Sequence, residues 1–257
     1  MNPLLFLGII LFCYMNFWFL VSIIKKRNDV ADVAWGLGFV LLAWISFLQS
    51  NEPNVSRQIV TILVTIWGLR LALHISKRHK EGKEDERYAE WRVLWGKWIY
   101  LRSYFQIFIL QGFFLFLVSI PVLAINLGTG FDSYLLLYLG LFVWIIGFAL
   151  ESISDWQLSN FIKNTENKGK ILREGLWGYS RHPNYFGEVT QWWGIWIVSL
   201  GTEFYFFTII GPLTITYLIL KVSGIPMLEK KMSLHPDFKK YANEVSVFVP
   251  LPPKTRF

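Results

Sequence analysis

Long apolar runs without period-two alternation are the feature that most restricts how this 257-residue chain can fold. A bilayer core takes about 20 apolar residues per helix. Inside hydrocarbon an unpaired backbone amide is too costly to leave exposed, so only helices and closed barrels cross it. Barrel strands alternate between apolar and polar residues, and these runs do not. The expected fold is all-α, a polytopic membrane bundle of about seven transmembrane helices. Its spans are drawn at Pro3–Ile24, Val30–Leu48, Ile59–Ile75, Phe105–Ile125, Tyr134–Leu150, Val189–Leu200 and Phe204–Val222. The sixth is short and opens beside Glu188, so it is broken, tilted, or extended back to Pro183. Met1–Ile24 lacks a basic n-region and a small-residue cleavage site, and reads as a retained helix.

Charge orients the bundle. With the N-terminus outside, the inner segments Lys25–Arg27, Lys77–Arg102, Lys163–Arg181 and Lys221–Arg256 hold 3, 8, 5 and 7 basic residues, or 23 of 25. Arg57 falls in an outer loop. This bias predicts a cytosolic C-terminus, in a bacterial inner membrane or a membrane of the endoplasmic-reticulum type. The net charge of +7 then reads as anchoring against anionic lipid rather than as nucleic-acid binding. Outer loops are short, whereas the inner segments Ser76–Tyr104, Glu151–Glu188 and Ser223–Phe257 run to 29, 38 and 35 residues. Chemistry is expected on that inner face, within one domain spanning 1–257 whose ligand-binding region is mainly 151–257. Cys13, the single cysteine, lies in the first apolar run. It allows no disulfide framework or zinc cluster and reads as a buried, inert thiol. No metal site is expected.

Several polar groups stand out against this background. Arg70 and His74 share a face of the third span. The arginine either snorkels to the interface or meets an intramembrane acid or an anionic ligand. The mixed-charge run Lys77–Tyr88 is either a solvated interfacial helix start or a turn in which Glu84, Asp85, Arg87 and Tyr88 grip a polar ligand. Trp91, Trp95 and Trp98 nearby fit an interfacial aromatic belt. Glu151 and Asp155 share a helical face near hydrocarbon, which is costly without partners. They form structural ion pairs or bind ribose or amine groups.

The richest stretch is Lys170–Glu188. Gly175, Gly178 and Pro183 permit a tight backbone path, and the donors Arg181, His182 and Asn184 cluster with Tyr179 and Tyr185. Pro183 suits a helix start, which puts Glu188 and Gln191 on an inward face. Arg181 suits bidentate contact with phosphate or carboxylate. The alternative for the whole stretch is a rigid interhelical polar knot. No GxGxxG follows a strand, so a nucleotide would bind without a Rossmann unit. Ser223–Pro226 breaks the last helix, and His235–Tyr241 is either an amphipathic cap over the inner opening or a surface helix on lipid.

The run GLWGYSRHPNYFGE followed by WWG, with Glu151 and Asp155 upstream and SGIPMLE downstream, resembles the DUF1295 family, which is related to the C-terminal domain of steroid 5-alpha-reductases. WGLRLALHI around Arg70 and EDERY at Glu84–Tyr88 belong to the same resemblance, which covers nearly the whole chain. It implies a helical membrane reductase fold that holds NADPH from the cytosolic side and transfers hydride to an enone-like steroid or other lipid. Asn184 matches the motif asparagine near the cofactor, and Asp155 the aspartate at the preceding helix end. Glu151 stands where the steroid enzymes have a polar residue, and Lys170 matches a basic residue before the glycine pair. Arg181 and His182 depart from the steroid enzymes and resemble the RHPxYxGE motif of sterol reductases and membrane methyltransferases.

The resulting expectation is an NADPH-dependent oxidoreductase that reduces a carbon–carbon double bond, its partners being that lipid substrate and the membrane lipids. Arg70, Lys170 and Arg181 are expected on cofactor phosphates, with Tyr179 and His182 in the same cofactor-facing group. Glu151 and Asp155 would meet ribose or adenine, and Asn184 would orient the nicotinamide. Tyr185 or Tyr88 would donate to the substrate carbonyl, with Glu188 the third catalytic candidate. An S-adenosylmethionine-dependent methyltransferase acting on a lipid or lipidated substrate is the alternative. A transporter would need polar access from both sides, which the short outer loops disfavour.

Overall fold

A computed structural model describes residues 1–50, 54–78, 84–129 and 133–254. In chain order the helices are α1 (Pro3–Lys25), α2 (Val30–Leu48), α3 (Val55–Arg78), α4 (Glu86–Trp95), α5 (Ile99–Arg102), α6 (Leu110–Leu127), α7 (Tyr134–Lys163), α8 (Pro183–Ser199), α9 (Tyr205–Thr208), α10 (Ile210–Tyr217), α11 (Ile225–Met232) and α12 (Phe238–Glu244). Short 3-10 turns and π-helical turns at Ser103–Ile109 and Leu218–Val222 join several of them. Among the described residues the extended pairing is confined to an isolated parallel bridge, Ser180 with Ser246. Among the described residues six helical runs are long and apolar enough to cross a membrane, and α8 adds a shorter one of 17 residues. The chain is a multi-pass helical membrane protein whose apolar residues, such as Phe12, Phe17, Leu20 and Phe142, stay exposed toward lipid.

Local chemistry explains where the helices begin and end. Asn2 caps α1 by accepting from Leu4 N at 2.9 Å, and Pro3 opens it. Lys26 closes it in the left-handed region, with Lys26 N and Arg27 N returning to Ile23 O and Ser22 O. Two expected boundaries move. The third span extends back to Val55 because Asn54 Oδ1 accepts from Arg57 N at 2.9 Å. Arg57 therefore sits in the first turn of α3 rather than in a loop. It is buried there, donating to Ile125 O at 3.1 Å and Gly128 O at 2.6 Å at the C-terminal end of α6, where a cation satisfies orphan carbonyls. The fifth span, drawn to Leu150, continues helical to Lys163, because hydropathy falls at Glu151 but no glycine or proline follows until Gly169. Cys13 is exposed on α1, not buried as expected, since α1 is apolar all round and much of it faces away from the protein.

The helices form two compact units. The first contains Met1–Ser133 and Ser199–Gly211. In it α2 packs on α1, α3 and α6. A Cβ on Gly36 would stand 2.7 Å from Gly68 O, so α2 and α3 cross backbone to backbone. Asn126 ties α6 to α2 and α3, donating to Ala43 O, Ser46 Oγ and Thr61 Oγ1.

The second unit contains Tyr134–Val198 and Pro212–Phe257. Its backbone is a glycine seam between antiparallel α7 and α8. A Cβ on Gly140 would come within 2.5 Å of Gly194 O, and one on Gly147 within 2.6 Å of Gly187 O. Small residues on both helices at a seven-residue spacing permit this approach. Trp193 Nε1 donates to Thr216 Oγ1 at 3.3 Å, joining α8 to α10.

Candidate functional site

In the second unit the glycine seam sets what lies next to it. Glu151 follows Gly147 by one turn of α7, and Gln191 follows Gly187 by one turn of α8. Gln191 Nε2 donates to Glu151 Oε2 at 2.5 Å, the two residues being 1% and 3% exposed. One turn farther along α7, Asp155 Oδ1 accepts from Asn184 Nδ2 at 3.1 Å. Asn184 Oδ1 in turn accepts from Tyr185 N at 3.0 Å, within the first turn of α8. The acids expected on one face of α7 thus each meet an amide side chain of α8.

The stretch leading into α8 folds against α7 and the C-terminal segment. Trp177 Nε1 donates to Ser154 O, and Leu176 N to Gln157 Oε1, both at 3.0 Å. Gly175 turns there with φ 59, its α-carbon against Gln157. Tyr241 OH donates to Trp177 O at 2.8 Å. Burial pushes that phenol's pKa up, so it remains a neutral donor. Ser180 Oγ donates to Phe248 O, Arg181 N to Ser246 O, and Leu251 N to Tyr179 O. His235 Nε2 bonds Gly169 O at 2.7 Å, so the His235–Tyr241 stretch packs on this loop.

Arg181 and His182 are nearly buried, at 8% and 2% exposed. Arg181 grips Glu229 bidentately, Nε to Oε1 at 3.0 Å and Nη2 to Oε2 at 2.8 Å. Its Nη1 donates to Ala242 O and Val245 O. His182 Nε2 lies 2.8 Å from Glu229 Oε1, and its ring stacks on Tyr185. Tyr179 is half exposed, Lys170 is exposed, and Tyr185 and Glu188 are half-buried on α8. Among the described residues no group of three His, Cys, Asp or Glu is placed to hold a metal ion.

Arg70 and Tyr88 belong to the first unit. Arg70 is half-buried on α3. Tyr88 is buried, and its hydroxyl donates to Asp32 Oδ1 at 2.6 Å while Arg87 Nη2 holds Asp32 Oδ2 at 2.9 Å. A wider lattice supports this pair. Arg27 grips the fully buried Asp29. Asp85 N also donates to Asp29, and Glu84 accepts from Arg92 and from Asn28 N. The charges of Glu84–Tyr88 are therefore spent largely on the turn between α1 and α2 and on each other; His79–Lys83 of that run lie outside the described residues. Asp32 and Glu229 were not singled out from the sequence. The signal for Asp32 was an acid inside the apolar run Val30–Leu48, where an ionisable group needs a partner. Glu229 was masked by the charge run Glu229–Lys231.

Residues 18–245 match the model of a family described as "Protein of unknown function (DUF1295)". An uncharacterized protein of Schizosaccharomyces pombe is 27% identical over 97% of this chain and 80% of its own length. The 3-oxo-5-alpha-steroid 4-dehydrogenase 1 of mouse is 36% identical over 78 residues, and that of human 37% over 73. Those matches cover 29% and 27% of this chain, and 31% and 28% of the steroid enzymes, less than a third of their length. No solved structure matches.

Proposed function

The chain belongs to the DUF1295 family, and from that premise we propose that it is a membrane-embedded NADPH-dependent oxidoreductase reducing the carbon–carbon double bond of an enone-like steroid or other lipid. The observation that carries this reading is the Asp155–Asn184 pair at the start of α8, with Glu151–Gln191 behind it. Partial similarity to the steroid enzymes supports it.

The donor set fits such a cofactor. Asp155 and Glu151 offer acceptors suited to ribose hydroxyls or the adenine amine, Asn184 an amide suited to the nicotinamide carboxamide, and exposed Lys170 a charge suited to phosphate. When bound, NADPH supplies the hydride. Addition at the β carbon leaves negative charge on the substrate's carbonyl oxygen, and a phenol donating to that oxygen stabilises it before the α carbon takes a proton. Tyr185, next to Asn184 on the first turn of α8, is the proposed donor; the one proton of the Tyr88 hydroxyl is given to Asp32, which makes Tyr88 the second candidate. The basic residues concentrated in the inner segments support cofactor entry from the cytosolic face.

The test is purified protein in lipid nanodiscs given NADPH carrying deuterium at C4 and a panel of enone lipids. The expected result is enone-dependent NADPH oxidation with one deuterium at the product's β carbon. Oxidation indifferent to every enone, with no label transferred, counts against the proposal.

A further inference from the structure

We propose that Glu229 is a positioning residue of this site, acting through Arg181 and His182 on the first turn of α8. The proposal rests on the reductase reading for its cofactor readout, but its geometry is independent of that reading. Sequence reasoning suits Arg181 to a phosphate. In the fold its Nε, Nη1 and Nη2 are committed to Glu229, Ala242 and Val245.

A guanidinium buried this deeply needs a counter-charge, and a bidentate carboxylate is the strongest one a protein side chain offers. Glu229 also takes His182, so one carboxylate holds two consecutive residues. The backbone of the same turn is tied down separately, Arg181 N to Ser246 O and Ser180 Oγ to Phe248 O. Immediately after this anchored pair, Pro183 opens α8 and Asn184 reaches Asp155. Pro183 alone separates Asn184 from His182, and its φ is fixed. Rotation of the Arg181–His182 turn therefore carries the Asn184 amide away from Asp155. Glu229 fixes that rotation from α11, and the C-terminal segment around Ala242–Phe248 closes over the same residue.

Glu229→Gln keeps the side chain's size and one acceptor but removes the charge that pairs with Arg181 and the carboxylate that meets His182. In the full chain in nanodiscs, the expected result is NADPH affinity weakened about tenfold, the scale of a lost charge-assisted bond, with kcat within about twofold. Amide hydrogen exchange over residues 179–186 should quicken while the rest of α8 stays protected. Glu229→Asp, which keeps the charge on a shorter arm, should recover part of the affinity, and it serves as the test variant if the Gln protein does not fold. Unchanged affinity with unchanged exchange at 179–186 overturns the proposal. So does a parallel fall in affinity, kcat and thermal stability, which marks a purely structural bond. If the wild-type protein binds no NADPH, the reductase reading fails and exchange alone decides. Faster opening confined to 179–186 then supports the role of Glu229, and no change refutes it.

Discussion

Tyr185→Phe is expected to lower turnover of an enone substrate about 10²- to 10⁴-fold, the range of a lost general acid, while NADPH affinity stays within about twofold. The substitution removes one oxygen from a half-buried residue and keeps the ring that stacks on His182. The Tyr88 hydroxyl, by contrast, donates to the Asp32 carboxylate at 2.6 Å, whose other oxygen is held by Arg87. That phenol has one proton, and the pairing commits it to Asp32. Tyr88→Phe should therefore lower kcat less than Tyr185→Phe. Asp32→Asn should be milder still, because an amide oxygen still accepts the Tyr88 hydroxyl. Steady-state kinetics on the three variants, with circular dichroism to confirm folding, decide the matter. Equal, small effects at Tyr88 and Tyr185 would remove Tyr185 from the reaction.

The second large effect is expected at the glycine seam. In Gly187→Ala the new Cβ would lie 2.5 Å from Glu151 N and 2.6 Å from Gly147 O, against backbone that cannot turn aside. The helices must separate, and overpacking of this kind costs about 3 kcal/mol, at the upper end of its usual range. The cost falls on function as well as stability, because the Glu151–Gln191 and Asp155–Asn184 pairs bridge those helices on either side of Gly187. Gly8→Ala is the control, since its Cβ would meet nothing within 4 Å. Thermal melts in one detergent should show a large drop for Gly187→Ala and almost none for Gly8→Ala. Equal midpoints would mean that the seam does not hold this unit together.

Hydropathy located the membrane helices well because lipid enforces it: α2 runs from Val30 to Leu48, the span as drawn. It failed where helix and hydropathy part company. α7 runs on past Leu150 because helix formation needs hydrogen bonds and an absence of breakers, not apolarity. Asn54 starts α3 before the apolar residues do. Within the candidate site, Glu151 and Asp155 were legible because acids near hydrocarbon demand partners, but their amide partners come from the next helix and depend on the glycine seam. Arg181 and His182 were legible as donors. That Glu229 receives them was not, since it comes from a helix 47 and 48 residues onward that only the tertiary fold brings near. The Asp32–Tyr88 pair was hidden in the same way, its members 56 residues apart.

The central claim is that the α7–α8 amide–carboxylate pairs serve a nicotinamide nucleotide. Isothermal titration of the purified full chain with NADPH and, separately, with S-adenosylhomocysteine tests it most directly. The expected result is NADPH binding at micromolar concentration that weakens in Asn184→Ala and Asp155→Ala, with no heat from S-adenosylhomocysteine. Tight S-adenosylhomocysteine binding without NADPH binding would contradict the account and make the chain a methyltransferase.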